Sequence, residues 1–302
     1  MILKGSLDLR HHLIRPMNNF FKRTISAIGF AAVMLAAFLT NEYVFGAVML
    51  FCLVVMMREF LHITCGNDYK YSQFLSILAG ATLFTLVFCF KTGWLPGRLV
   101  ILSFVPVFLL MINSLYVKDK SRFDRFANLY TAILYIAVPW SVLNFAAFAQ
   151  EGGAFDGKLL LCFFGIIWGS DVGAYVFGMA LGQKYGKKLF PSISPKKSWI
   201  GFWGGMLVAV AVAVILYYLD LFPPFCASET ANVVNYAAMA ILLHVTGVYG
   251  DLIESQWKRH YNIKDSGSII PGHGGLLDRF DSALLAIPIG VIYLVVAHVL
   301  HL

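Results

Sequence analysis

Charge is what this sequence has least of. Asp, Glu, Lys and Arg make up 13% of its 302 residues, whereas 59% are hydrophobic. Soluble domains carry about 25% charged residues, so a soluble globular domain is excluded and a polytopic membrane protein is implied. Cysteine is also sparse. The five present (Cys52, Cys65, Cys89, Cys162 and Cys226) form no CxxC and fall mostly in apolar runs. An odd count without ligand spacing argues against both a disulfide framework and a zinc site. The N-terminus stays polar and basic as far as Lys22-Arg23, which predicts no cleavable signal peptide. There is no strong internal repeat. The net charge of +7 needs no nucleic acid to explain it, because a basic face beside anionic headgroups is its ordinary cause.

What is present is a series of long apolar segments. Hydropathy predicts an all-α helix bundle of about nine membrane spans, near residues 24–40, 43–60, 72–90, 99–117, 128–149, 159–182, 199–219, 233–253 and 277–301. All but Lys91, Arg98 and Lys158 of the 23 basic residues then fall on one side. By the positive-inside rule that side is cytoplasmic and includes the N-terminus. Residues 1–150 hold few ionisable groups within spans and read as scaffold. Residues 151–302 read as the catalytic region with cytoplasmic loops. Pro139 is expected to kink the fifth span.

Polar residues concentrate in Gly250–Ser282. Five acids (Asp251, Glu254, Asp265, Asp278, Asp281) and four bases (Lys258, Arg259, Lys264, Arg279) occur there between two apolar segments. Asp251, Glu254, Ser255 and Lys258 share one helical face, and Asp278 and Asp281 begin the next span. Between them Pro271-Gly272-His273-Gly274-Gly275 permits a tight turn and close backbone approach to a ligand. Converging carboxylates suit a hard divalent cation such as magnesium, held by one or two carboxylates and substrate phosphates. A self-neutralising salt-bridge network is the structural alternative. Asp171 is a carboxylate inside the sixth span, costing about 2.5–3.5 kcal/mol on insertion scales; it marks a polar cavity or an interhelical hydrogen bond. Tyr175 lies on its face, and Gly165, Gly169 and Gly173 suit close helix packing. In Ser194-Pro195-Lys196-Lys197-Ser198, a turn gathering ammonium and hydroxyl groups suits a polyphosphate.

The full pattern closely resembles the phosphatidate cytidylyltransferases. Their signature S-x-x-K-R, four residues, K-D, then P-x-H-G-G-x-x-D-R-x-D is matched by Ser255, Lys258-Arg259, Lys264-Asp265, Pro271, His273-Gly274-Gly275, Asp278-Arg279 and Asp281. Asp171–Tyr175, Ser194–Lys197 and Gly250-Asp251 also look like the family, so the resemblance covers about residues 160–285. Trp257 departs from an expected aliphatic residue and bears only on local packing. The resemblance implies magnesium-dependent transfer of CMP from CTP to phosphatidate, with one cation or two, in a homodimer in a bacterial inner membrane. It implies Asp251, Asp278 and Asp281 as metal ligands. Lys258, Arg259, Asp265 and Arg279 join them as catalytic residues. Substrate binding would fall to Asp171, Tyr175, Ser194, Lys196, Lys197, Ser255, Lys264, His273, Gly274 and Gly275. Two rivals remain: a related CTP-dependent lipid-alcohol kinase, which would want a base to activate a neutral hydroxyl, and a secondary transporter of an anionic substrate, in which inverted repeats are common.

Overall fold

The structure is a computed structural model, and it describes residues 24–118, 120–149, 153–222, 227–270 and 274–297. The basic N-terminal prefix, Cys226 and His273 lie outside these ranges.

A short apolar helix, α1 (Thr24–Leu39), precedes eight helices long and apolar enough to cross a membrane: α2 (Glu42–Cys65), α3 (Lys70–Lys91), α4 (Gly97–Tyr116), α5 (Phe123–Ala147), α6 (Lys158–Tyr185), α7 (Trp199–Tyr218), α8 (Glu229–His260) and α9 (Leu277–Val296). The all-α membrane bundle is therefore as expected, including a short first segment. One element differs. Lys188–Phe190 (β1) and Ser194–Ser198 (β2) pair as an antiparallel hairpin, so the lysine segment expected to be a turn is an extended strand. Pro195 accounts for this, since proline drives the preceding residue into the β region.

Local chemistry sets the boundaries. The Asn41 side chain accepts the Val44 N–H at the start of α2, and Gly66 ends that helix at φ 60°, a left-handed value that glycine adopts without strain. Ser198 closes β2 and caps α7 by accepting the Gly201 N–H at 3.2 Å. Pro139 has no N–H to continue the α-helical ladder, and the turn just before it, Ile133–Ala137, is π-helical. The expected kink thus takes the form of a widened turn.

Helix α7 packs mainly on α6 and α8, and α8 mainly on α9. The α6–α7 seam is made by glycine. A Cβ on Gly173 would stand 2.6 Å from Val208 Cγ2, and one on Gly169 would stand 3.1 Å from Val212 Cγ2. These glycines pack helices, as the four-residue spacing suggested. The four described cysteines are free, and Cys52, Cys65 and Cys162 are buried.

The core centres on the start of α9. Phe280 is fully buried, with ring centroids 5.6 Å from Phe30 of α1, 4.8 Å from Trp140 of α5 and 5.8 Å from Phe164 of α6. Trp140 Nε1 in turn donates to the Met49 carbonyl of α2 at 2.8 Å. The residue between Arg279 and Asp281 is therefore fixed by three other helices. Trp257 stacks edge-on against Phe60 of α2 at 5.2 Å, which absorbs its departure from the family pattern.

Gly173→Leu is expected to overpack the α6–α7 seam and destabilise the bundle by about 1–3 kcal/mol. A thermal unfolding midpoint in nanodiscs unchanged from the parent protein would show that the seam is not tight.

Candidate active site

Site residues gather around two adjoining features. The first is a cavity of about 380 Å³ among α6, the hairpin, α7 and α8. Its lining includes the charged side chains of Asp171, Lys196, Lys197 and Asp251 and the apolar ones of Met179, Leu189, Phe202 and Val248. Tyr175 and Gly178 line it with Asp171, as their shared helical face required. Lys197 Nζ lies 2.6 Å from Asp251 Oδ2, and Ser255 Oγ donates to Asp251 Oδ1 at 3.1 Å. The hairpin is held in place by Gln183, whose Nε2 donates to the Lys196 carbonyl while its Oε1 accepts from Lys188 Nζ, each at 2.7 Å. Asp171 and Asp281 are both within Coulombic range of Asp251, and Arg279 is within range of Asp171. A larger cleft of about 620 Å³ lies among α3, α4 and α5, but its lining is apolar apart from Ser103, Ser141 and Tyr130. It carries no chemistry.

The second feature is a buried junction at the α8–α9 turn. Asp278 Oδ1 accepts from Lys258 Nζ at 2.7 Å. Its Oδ2 accepts from Ser266 N at 2.8 Å, Ser266 Oγ at 2.9 Å and Gly275 N at 2.8 Å. Lys258 also pairs with Glu254 one turn back on α8. The side chains of Lys258, Glu254 and Asp278 are 12%, 2% and 7% exposed, so this pairing is made with little water to weaken it. Gly274 takes φ +83°, and a Cβ there would stand 2.7 Å from Asp278 Oδ2. Glycine is required at that point for backbone conformation and for space together.

The expected trio Asp251, Asp278 and Asp281 is thus divided between the two features. Among the described residues no three acid, imidazole or thiol groups form a ready-made ion-binding cluster. Asp278 directs its oxygens at four donors, whereas Asp251 lines the cavity, and Asp281 Oδ1 accepts its neighbour's Ser282 N–H at 2.6 Å. The remaining bases and hydroxyls sit around the rim. Arg259 donates to the carbonyls of Ile193 and Ile263 at 3.3 and 3.0 Å, joining α8 to the hairpin loop. Lys264, Asp265 and Arg279 are exposed, and Ser194 is half-buried at the start of β2.

With this geometry in view, comparison with known proteins is decisive. The sequence matches the model described as "Cytidylyltransferase family" over residues 21–297, a range that takes in every described helix. The chain belongs to that family. It is 36% identical over 190 residues to a phosphatidate cytidylyltransferase of Bacillus subtilis, covering 62% of this chain and 65% of that protein. Identity is 29% over 238 residues to a phosphatidate cytidylyltransferase of Staphylococcus haemolyticus, covering 78% and 84%. A Staphylococcus aureus protein of the same name is 30% identical over 273 residues, covering 88% of this chain and 96% of its own length.

Three residues of the junction and cavity escaped the reading of the sequence. Glu59 of α2, 8% exposed, accepts Leu276 N at 3.0 Å and Leu277 N at 2.8 Å. Ser266 bridges it to Asp278. Tyr135, in the π turn of α5, places a buried hydroxyl near Glu254, Asp281 and Asp251, with no hydrogen-bond partner among the described residues. The signal for Glu59 was available, because an acid inside an apolar span carries the same insertion cost as Asp171. Ser266 and Tyr135 had none, since uncharged hydroxyls are common in loops and helices.

Lys258→Met is expected to destabilise the protein by about 3–5 kcal/mol, because it leaves two buried carboxylates facing each other. Adding Glu254→Gln should restore part of that loss in the thermal unfolding midpoint. A double variant no more stable than Lys258→Met alone would show that the pair does not carry the junction.

Proposed function

We infer that this chain transfers CMP from CTP to phosphatidate, forming CDP-diacylglycerol and pyrophosphate. The observation that carries this reading is the cavity in which Lys197 meets Asp251 and whose lining also includes Met179, Leu189, Phe202 and Val248. Such a site accommodates a phosphate group attached to a lipid. Its position inside a cytidylyltransferase-family match supplies the nucleotide.

The reaction joins a phosphate oxygen of phosphatidate to the α-phosphorus of CTP and breaks the bond to the β-phosphate oxygen. That oxygen nucleophile is already ionised near neutral pH, so no general base is needed. The protein's work is alignment and charge neutralisation. Lys196, Lys197 and Arg279 supply positive charge where two phosphorylated substrates would otherwise repel. Asp251 holds Lys197 at the cavity wall. Lys258 and Asp278 fix the α8–α9 turn from which Arg279 and Asp281 project, and Ser255 steadies Asp251. The apolar side chains of the lining, Met179, Leu189, Phe202 and Val248, suit the diacylglycerol end of the lipid.

A divalent cation suits the carboxylates around Asp251, which lines the cavity. Asp251 and Asp281 are hard oxygen donors within Coulombic range of each other, and the partnerless Tyr135 hydroxyl stands beside them. We assign any magnesium to those two carboxylates, with substrate phosphates completing the set, and give Asp278 the role of holding the turn. Bound there, magnesium would screen phosphate charge and the departing pyrophosphate. The reading places the active site on the cytoplasmic side of a bacterial inner membrane, supported by the distribution of basic residues. It treats the first half of the chain as scaffold and the homodimer as the working assembly, as the family resemblance implies.

Purified protein given magnesium, phosphatidate and CTP labelled in the α-phosphate should place label in lipid and release pyrophosphate. Label reaching lipid only from the γ-phosphate would replace this reading with the kinase, and substrate flux without chemistry would replace it with the transporter. Asp251→Asn is expected to lower kcat by about 100-fold or more with the helix content unchanged; near-parental kcat would remove Asp251 from the site. A cysteine at Lys196, in a background without reactive native thiols, should label with an impermeant reagent in inverted vesicles only. Labelling from the opposite face would reverse the orientation.

A further inference from the structure

Glu59 stands apart from everything the reaction requires. It lies on α2, more than two hundred residues from the α8–α9 turn in sequence, yet its carboxylate is buried in that turn. Helix α9 has no side-chain cap of its own, because Leu276 occupies the capping position. The N–H groups of Leu276 and Leu277 are instead received by Glu59 Oε1 and Oε2 at 3.0 and 2.8 Å. A carboxylate at that end also complements the positive end of the helix dipole. Ser266 Oγ lies 3.3 Å from Glu59 Oε2 and 2.9 Å from Asp278 Oδ2. Its single proton serves the two acids in turn.

The turn is shaped around this carboxylate. A Cβ on Gly267 would stand 2.5 Å from Glu59 Oε1, and one on Gly275 would stand 2.6 Å from Glu59 Oε2. Gly267 is therefore required by the volume that Glu59 occupies, whereas a Cβ on Gly275 would meet Ser266 Oγ and the Gly267 backbone as well as Glu59. Neighbouring rings keep α2 in register with α8, since Phe60 packs edge-on against Trp257.

We infer that Glu59 is a positioning residue for CMP transfer: reaching across from the first half of the chain, it caps α9 and holds Ser266-Gly267 against Gly275–Leu277, so fixing the direction in which Asp278, Arg279 and Asp281 leave the helix. This rests on the function proposed above. It gives the first half of the chain a direct part in the geometry of the site. Misplacing reacting groups by about 1 Å costs on the order of 100-fold in rate, so a loosened α9 start is felt in turnover before it is felt in folding.

Glu59→Gln keeps the shape but turns an amide donor toward N–H groups that need an acceptor. In protein matched to the parent for helix content, gel-filtration profile and thermal midpoint, kcat is expected to fall about 10- to 100-fold. KM for CTP and for phosphatidate should each stay within about three-fold, the pattern of an interaction that acts at the transition state. Gly267→Ala, which drives a methyl group into the Glu59 carboxylate from the other side, should give the same split, and it decides the matter if Glu59→Gln does not fold. Folded variants with parental kcat would overturn the inference. So would a loss of activity that tracks the folded fraction alone. A parental protein that transfers no CMP would instead refute the proposed function, so the two failures are distinguishable.

Discussion

The arrangement of this protein depends on how one helix begins. The start of α9 presents free N–H groups in a largely apolar bundle, where an unsatisfied polar group costs several kcal/mol. Two carboxylates, Glu59 and Asp278, answer that need and accept from Ser266, Gly275, Leu276 and Leu277. Lys258 then balances Asp278 and Glu254 together. Satisfying the backbone in this way also fixes the side chains that follow, because Arg279 and Asp281 flank the immobile ring of Phe280.

That construction separates two tasks that look alike in one dimension. Asp278 at the α8–α9 junction is held by backbone and lysine donors, whereas Asp171 and Asp251 line the hairpin cavity. Asp251 and Asp278 both end up paired with lysine, Lys197 and Lys258 respectively. Asp278 is nonetheless saturated by four donors, while Asp251 lines an open cavity. The salt-bridge network expected as the structural alternative is present at the junction, where Lys258 pairs with Glu254 and Asp278.

Long apolar runs and a one-sided basic distribution made the helix bundle legible, because lipid leaves few alternatives to helices. The hairpin was not legible as a strand. Its second strand, Ser194–Ser198, holds two serines around proline and two lysines, and its extended form follows from Pro195 and from pairing with Lys188–Phe190. Glu59 was legible in principle as an intramembrane acid, but its partner was not, since nothing local to α2 names a turn near residue 270.

By itself the sequence determined which residues are charged, that most of them cluster at the ends of spans and in the loops, and that their spacing is that of a cytidylyltransferase, because hydropathy and motif spacing are properties of the chain in order. Only the tertiary structure decided which acid faces which base. Helix packing brings Glu59 to Leu277 and Lys197 to Asp251, and hydrogen bonds of about 3 Å depend on distances through space that sequence order does not contain.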